Sequence, residues 1–302
     1  MARRLSAIAA FAAFALFSTL VSADPLPLNP FTGPISPFYV QNFATRQIEV
    51  AQGNSVVNSF NSNYGFGIAI SGGTVRTHGE NSGPGTSGAQ YSLSGVPTGV
   101  TYTYPTPAGL QYDNSADGTT DGTHNYYVQY YGYTNDNNYV EDVIQTDTDW
   151  KNPVSLFSVA PYPGACCQDV GIAYDATNNS LWVSGWGAQT ISDYSLNGDL
   201  LSSFVTPGIY NKGALGVDPA DHTLWFVIEQ GAGAAGLYQY STDGTLLQWG
   251  TPAGMDISYV NAADFQEFGA SESSSVPEPS TLLLAGSGLL ALARRLRKSL
   301  PR

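Results

Sequence analysis

The chain has 302 residues, with 24 Asp and Glu against 11 Lys and Arg, and only 12% charged side chains in all. Between residues 24 and 270 the imbalance deepens to 22 acidic against four basic side chains (Arg46, Arg76, Lys151 and Lys212), a net charge near −18. Such a body repels phosphate backbones and anionic lipid, which excludes nucleic-acid binding through a basic surface; its acidity serves solubility and self-repulsion.

At the N-terminus, Arg3 and Arg4 precede an apolar run from Ala7 to Phe17, and Val21-Ser22-Ala23 supplies a small-x-small cleavage site before Asp24. That order predicts a secretory signal peptide, a helix handed to the Sec export machinery; a first transmembrane helix is the alternative. Residues 1–23 are therefore leader and 24–45 an extended lead-in, with five prolines between Asp24 and Pro37. Residues 46–270 form the body and 271–302 a separate tail. The exported part is long enough for one large all-β domain.

Strand signals start at Arg46. Arg46 to Gln52 and Ser55 to Asn61 flank Gly53-Asn54, a hairpin signal. Phe66 to Ile70, Thr74 to Thr77, Ala89 to Leu93 and Gly99 to Tyr104 make a degenerate four-strand unit. A second unit starts at Gly109 to Asp113, with Tyr126-Tyr127-Val128, Tyr139 to Gln145 and Val154 to Val159 as its later strands. The clearest units follow. Gly171 to Phe204 and Ala214 to Gly250 share one grammar: Asp175 and Asp218, Leu181 and Leu224, and Trp182 and Trp225 each stand 43 apart. Asn197-Gly198 matches Asp243-Gly244 at a spacing of 46, the extra residues falling in the Gln230 to Gly236 loop. Each copy reads as a four-stranded antiparallel meander that must bury its faces on neighbours.

The pattern of an apolar strand ending in Asp, then Leu-Trp, then Tyr, then a turn and Leu-Leu, resembles a blade of an NHL- or YVTN-type β-propeller. The resemblance implies an all-β, closed β-propeller of five blades of four-stranded antiparallel sheet, in which the unassigned strands at Arg46 to Asn61 and Tyr259 to Phe268 combine as a fifth blade. Closure removes exposed sheet edges. Six blades is the alternative count, and a β-sandwich the alternative architecture.

Candidate chemistry is sparse. His78, His124 and His222 lie in turn-rich surroundings without paired ligand spacing, and each reads as a solvated loop histidine. There is no GxSxG elbow, and GAGAAG lacks the strand–turn–helix setting of a phosphate loop. Catalytic residues are therefore not assigned. Asp113, Asp117 and Asp121 sit in a stretch whose start resembles a calcium loop, but His124 occupies the position of the expected bidentate Glu. An Asp- and Gly-rich β-turn is the favoured reading; Ca²⁺ is the ion to expect if these oxygens bind one. No other cofactor is implied. Cys166 and Cys167 are adjacent, and in an oxidising compartment they could close a vicinal disulfide, stay free or pair between molecules. Tyr126, Tyr127, Tyr130, Tyr131, Tyr133 and Tyr139, with Trp182, Trp186, Trp225 and Trp249, provide surfaces that can stack on sugars or pack between blades.

The tail has three parts in order. Pro277-Glu278-Pro279 is a rigid non-helical plug. Leu282 to Ala293 is continuously apolar or small, and Arg294, Arg295, Arg297 and Lys298 form a basic cluster behind it. As helix the apolar run spans about 18 Å, short of a bilayer core of about 30 Å, which suits a transient anchor better than a permanent one. This order resembles the PEP-CTERM sorting signal of Gram-negative bacteria. The resemblance implies an exosortase as partner, cleavage near Pro277-Glu278-Pro279, passage through the inner membrane, and delivery to the cell surface or exopolysaccharide matrix. The sequence thus predicts a non-enzymatic surface or matrix protein, structural or ligand-binding, with extracellular polysaccharide as a candidate partner. Two alternatives stay open: a propeller-type hydrolase or lyase at the central channel, and a calcium-dependent glycan-binding adhesin.

Overall fold

Alternating apolar positions, β-branched residues and Gly- or Asn-containing turns dictate short antiparallel strands along the body. The computed structural model describes residues 30–266, apart from 64, 80–87, 103–113, 132–137, 160–161, 164–170, 186–188, 210–211 and 229–234. The leader, the PEP-containing tail with its basic cluster, Cys166, Cys167 and Asp113 lie outside the described residues.

The described residues form five sheets around one axis. The strands β1 (Phe38–Asn42), β2 (Gln47–Gln52) and β3 (Ser55–Asn61) belong to blade one. Blade two is β4 (Gly67–Ser71), β5 (Thr74–His78), β6 (Gly88–Ser92) and β7 (Pro97–Tyr102). Blade three is β8 (Asn114–Thr120), β9 (His124–Tyr131), β10 (Asn138–Asp147) and β11 (Val154–Ser158), with β12 (Tyr162–Pro163) paired to β10. Blade four is β13 (Gly171–Asp175), β14 (Ser180–Ser184), β15 (Thr190–Ser195) and β16 (Leu200–Val205). Blade five is β17 (Lys212–Asp218), β18 (Thr223–Ile228), β19 (Gly236–Tyr240) and β20 (Leu246–Gly250). The last strand, β21 (Val260–Phe265), joins blade one in the order β21-β1-β2-β3. The protein is therefore a five-bladed propeller of four-stranded antiparallel sheets, closed by strands from both ends of the body. Innermost strands β21, β4, β8, β13 and β17 follow one another round the axis.

Three placements differ from the sequence reading. β1 lies inside the segment expected to be a lead-in, so blade one begins at Phe38. Residues 31–36 are also tied down. Phe31 meets Trp225 edge-on at 6.3 Å, and the Thr32 amide donates to Gln248 Oε1 at 2.7 Å. The Ile35 and Ser36 amides donate to Asp218 Oδ2 at 2.9 and 3.1 Å. The segment thus fastens the seam between blades five and one, where Phe38 stacks on Phe265 at 4.3 Å. The third correction concerns blade three. Its inner strand is Asn114–Thr120, while Gly109 to Asp113 lie outside the described residues, and Asp121 follows directly on the strand end at the start of the turn.

Neighbouring blades interlock through a repeated device. The outer hairpins of blades two, four and five place Gly95, Gly198 and Gly244 at φ +90, +87 and +88. A Cβ on each would meet an aromatic side chain from the preceding blade's outer strand: Phe60 at 2.2 Å, Phe157 at 2.6 Å and Phe204 at 2.6 Å. Glycine is needed twice here, for the left-handed turn and for the close approach. Between the blades, Trp182 and Trp225 are 1% and 0% exposed within apolar clusters, and full burial of such a side chain contributes about 3 kcal/mol.

Candidate functional site at the propeller axis

In each blade only one edge of the innermost strand is paired within its own sheet. The other edge faces the axis, and its amides need acceptors because buried backbone donors are costly to leave unpaired. Two aspartates supply them. Asp117 is fully buried in β8. Its Oδ2 accepts the amides of Ile172 (β13) at 2.9 Å and Leu215 (β17) at 2.8 Å, and its Oδ1 accepts that of Ala263 (β21) at 2.9 Å. The carboxylate of one residue of blade three thus holds the inner strands of blades four, five and one.

The local sequence explains how. Asp117 has φ +63, a left-handed conformation that Asp tolerates better than most residues. The β8–β9 register shifts between Ala116 and Thr119, a bulge that turns this side chain onto the axis. Gly118 beside it packs under Trp150, where a Cβ would come within 3.1 Å of the indole and 2.9 Å of the Ile68 carbonyl. Burial pushes the Asp117 carboxyl well above the usual carboxylate range, while the amides of Ala263, Leu215, Ile172 and Gly118 pull it back down.

The second aspartate, Asp264 of β21, closes the remaining links. Its Oδ2 accepts the Ile70 amide of β4 at 2.9 Å, and its Oδ1 accepts the Thr119 hydroxyl at 3.3 Å. Thr119 Oγ1 in turn accepts the Tyr174 amide at 3.1 Å. Among the described residues a depression of about 70 Å³ lies at the end where the innermost strands finish, lined by Thr119, Thr120, Tyr174, His222, Asp264 and Phe265 among others. It has room for a few waters.

Asp121 begins the β8–β9 turn and has a different set of partners. Tyr126 Oη donates to its Oδ2 at 2.7 Å, and the Thr123 and His124 amides donate to its Oδ1 at 2.7 and 2.6 Å. Burial alone would raise this carboxyl, but the donors from Tyr126, His124 and Thr123 outweigh it and hold it at about 2. Blade four repeats the arrangement: Trp182 Nε1 donates to Asp175 Oδ2 at 3.3 Å, and the Thr177 amide to Asp175 Oδ1 at 2.8 Å. Asp117 and Asp121 therefore share no partner, and Asp113 lies outside the described residues. Among the described residues no group of three His, Cys, Asp or Glu is arranged to hold a metal ion. Most of the stretch expected to be a turn is strand β8, with the turn confined to residues 121–123.

The histidines separate. His78 is fully buried at the end of β5, against Trp150 at 4.7 Å and Tyr127 at 5.2 Å, which overturns its reading as a solvated loop residue. Desolvation lowers it to about 4. His124 stays half-exposed beside Asp121, and His222 sits in an exposed turn with Nδ1 2.9 Å from Thr177 Oγ1. The axial role of Asp117 was missed because Asp-Gly reads as a turn. The available signal was the distance from the strand-ending Asp to the aromatic of the next strand: seven residues from Asp175 to Trp182 and five from Asp121 to Tyr126, but thirteen from Asp113.

Residues 275–298 match the PEP-CTERM protein-sorting motif. The motif implies export, a membrane-anchored precursor and an exosortase as the processing partner. No curated protein gives a significant match to the chain. Among solved structures it is similar to the calcium-binding protein regucalcin from Agrobacterium tumefaciens strain C58, at 13% identity over 82% of this chain and 81% of that one, with a TM-score of 0.47. It is also similar to a chain of the nidogen/laminin complex, at 11% identity over 77% and 98%, TM-score 0.45. A protein of unknown function from Bacteroides caccae gives 10% identity over 78% and 100%, TM-score 0.45. Among the described residues no helix is long and apolar enough to cross a membrane.

Proposed function

We propose that this chain is a non-enzymatic surface or matrix module: a propeller exported through the Sec machinery, anchored briefly by residues 282–293, released by an exosortase near Pro277-Glu278-Pro279, and retained at the cell surface or in the exopolysaccharide. The sorting motif at residues 275–298 supports the export, the anchored precursor and the exosortase in this reading. The observation that supports a non-enzymatic reading is the described part of the axis, where Asp117 and Asp264 spend acceptors on backbone amides beside a depression of about 70 Å³. A channel enzyme needs convergent polar groups that are free to meet a substrate in a pocket of several hundred Å³.

The test is a profile of the mature protein against matrix polysaccharides, read both as binding and as release of reducing ends or unsaturated products. Saturable binding without product is the expected result. Turnover of any polysaccharide that survives Asp264→Asn but needs another residue of the ring would move the reading to an enzyme.

A further inference from the structure

The two faces of the ring differ in what leaves them. One face carries the hairpins that follow the innermost strands, at residues 121–123, 176–179 and 219–222, together with the outer turns of blades three to five. Asp149, Asp199, Asp221 and Asp243 are exposed in these turns, against one exposed cation, Lys151. β21 ends at this face. Phe265 lines the depression there beside Thr120 and His222, and the Gln266 amide donates to Pro37 O at 3.0 Å. Because β21 is an innermost strand, the chain leaves the face beside the axis and not at the rim. The opposite face holds the β1–β2 hairpin, where Ala44 is exposed and the Phe43 amide donates to Tyr259 O at 2.9 Å.

From this placement we propose that the membrane-anchored precursor stands with its acidic hairpin face toward the bilayer and the Ala44 face outward, so that the outward face is the one offered to partners. The proposal rests on the tail acting as a membrane anchor. Fifteen residues separate Gln266 from the start of the apolar run after Thr281. Fully extended they reach about 50 Å, against a root-mean-square span of about 21 Å for a random coil of that length. To invert the ring, the tether must run from the axis past three further strands and then up the height of a blade. At about 4.8 Å per strand and 3.3 Å per residue, with the side-chain layer at the rim, that path is about 40 Å. Inversion therefore needs a nearly taut chain, whereas the upright arrangement needs none. The acidic turns repel an anionic headgroup layer over about 10 Å, which keeps the face off the surface and leaves Pro277-Glu278-Pro279 open to an enzyme in the membrane.

Full-length precursor, isolated from cells without exosortase, is reconstituted in vesicles of phosphatidylethanolamine and phosphatidylglycerol. It carries a fluorescent non-natural amino acid at Ala44 or at Asp199, and energy transfer to an acceptor lipid is measured. Transfer from position 199 is expected to exceed that from position 44 at least twofold, and inserting twenty Gly and Ser residues after Ser273 should erase the difference. Equal or reversed transfer in the unextended chain overturns the orientation while leaving the anchor intact. Failure of the protein to float with the vesicles is a distinct result: it removes the anchor reading and the orientation with it.

Discussion

Blades three and four have the same four-stranded plan and the same turn device, Asp121 with Tyr126 in one and Asp175 with Trp182 in the other. They differ in the inner strand. Blade four offers Gly171–Asp175, a short apolar run that packs and pairs. Blade three offers Asn114–Thr120, with five polar side chains in seven, bulged, and bent at Asp117 into a left-handed backbone. The regular blade is a repeat of its neighbour, and the irregular one holds the ring together. A closed array of five similar units leaves a set of unpaired inner-edge amides at its centre; Asp117 accepts three of them, and Asp264 and Thr119 accept those of Ile70 and Tyr174.

The sharpest way to break this contrast is Asp117→Ala. It orphans three buried amides, each worth about 1–3 kcal/mol, so the total of about 5 kcal/mol rivals the stability of a whole domain. Urea denaturation should show no cooperative native baseline, and Asp117→Asn, which keeps one acceptor oxygen, should fall between. Asp175→Ala removes one turn acceptor and one indole partner, and should cost only about 1–2 kcal/mol. Equal losses at 117 and 175 would remove the distinction between the blades.

Proton linkage sharpens it next. His78, packed beside Asp117, is held neutral with its pKa lowered to about 4. The unfolded chain takes up a proton near 6.5 and the folded one does not until about 4. Stability should therefore fall as pH drops from 6.5 to 4, by about 3 kcal/mol from this site. The raised carboxyl of Asp117 acts with the opposite sign, losing its contribution as pH rises. The measurement is thus the difference between the pH profiles of the parent and His78→Gln in chemical denaturation. A difference that does not change across that window would contradict the buried, neutral histidine.

A smaller effect compares the interlocking turns with an open one. Gly198→Ala and Gly244→Ala each add a Cβ 2.6 Å from an aromatic side chain at φ near +88, for about 2–3 kcal/mol. Gly99→Ala has φ +85 but open space around the new atom, so only the backbone term of about 1 kcal/mol remains. Thermal melts of the three variants should rank accordingly. Of the same size as Gly99→Ala is Trp182→Phe, which loses the bond to Asp175 while keeping most of the packing, at about 1 kcal/mol.

What the sequence disclosed follows the same divide. Blades four and five could be read from Asp175, Leu181, Trp182 and Gly198 and their partners, because local turn chemistry and strand periodicity made them. Ring closure by both ends of the body was legible from the strands left over. The lead-in was not, because Phe31, Thr32 and Ile35 make their bonds with residues about 180 to 220 positions away. Asp117 was hidden for the same reason: its partners at 172, 215 and 263 are contributed by three other blades. An Asp-Gly pair carries a strong local preference for turns that only this tertiary setting overrides. His78 looked solvated because its neighbours in sequence are polar, whereas its neighbours in space are Tyr127 and Trp150.

The claim that organises the whole account is that the tail is an address and the propeller is the cargo. Intact-mass and terminal-peptide analysis of the protein recovered from the cell surface or medium tests it directly. The account predicts a chain that starts at Asp24 and ends between Pro277 and Ser280, with β21 intact. A surface-exposed chain that still carries Arg302 would contradict it.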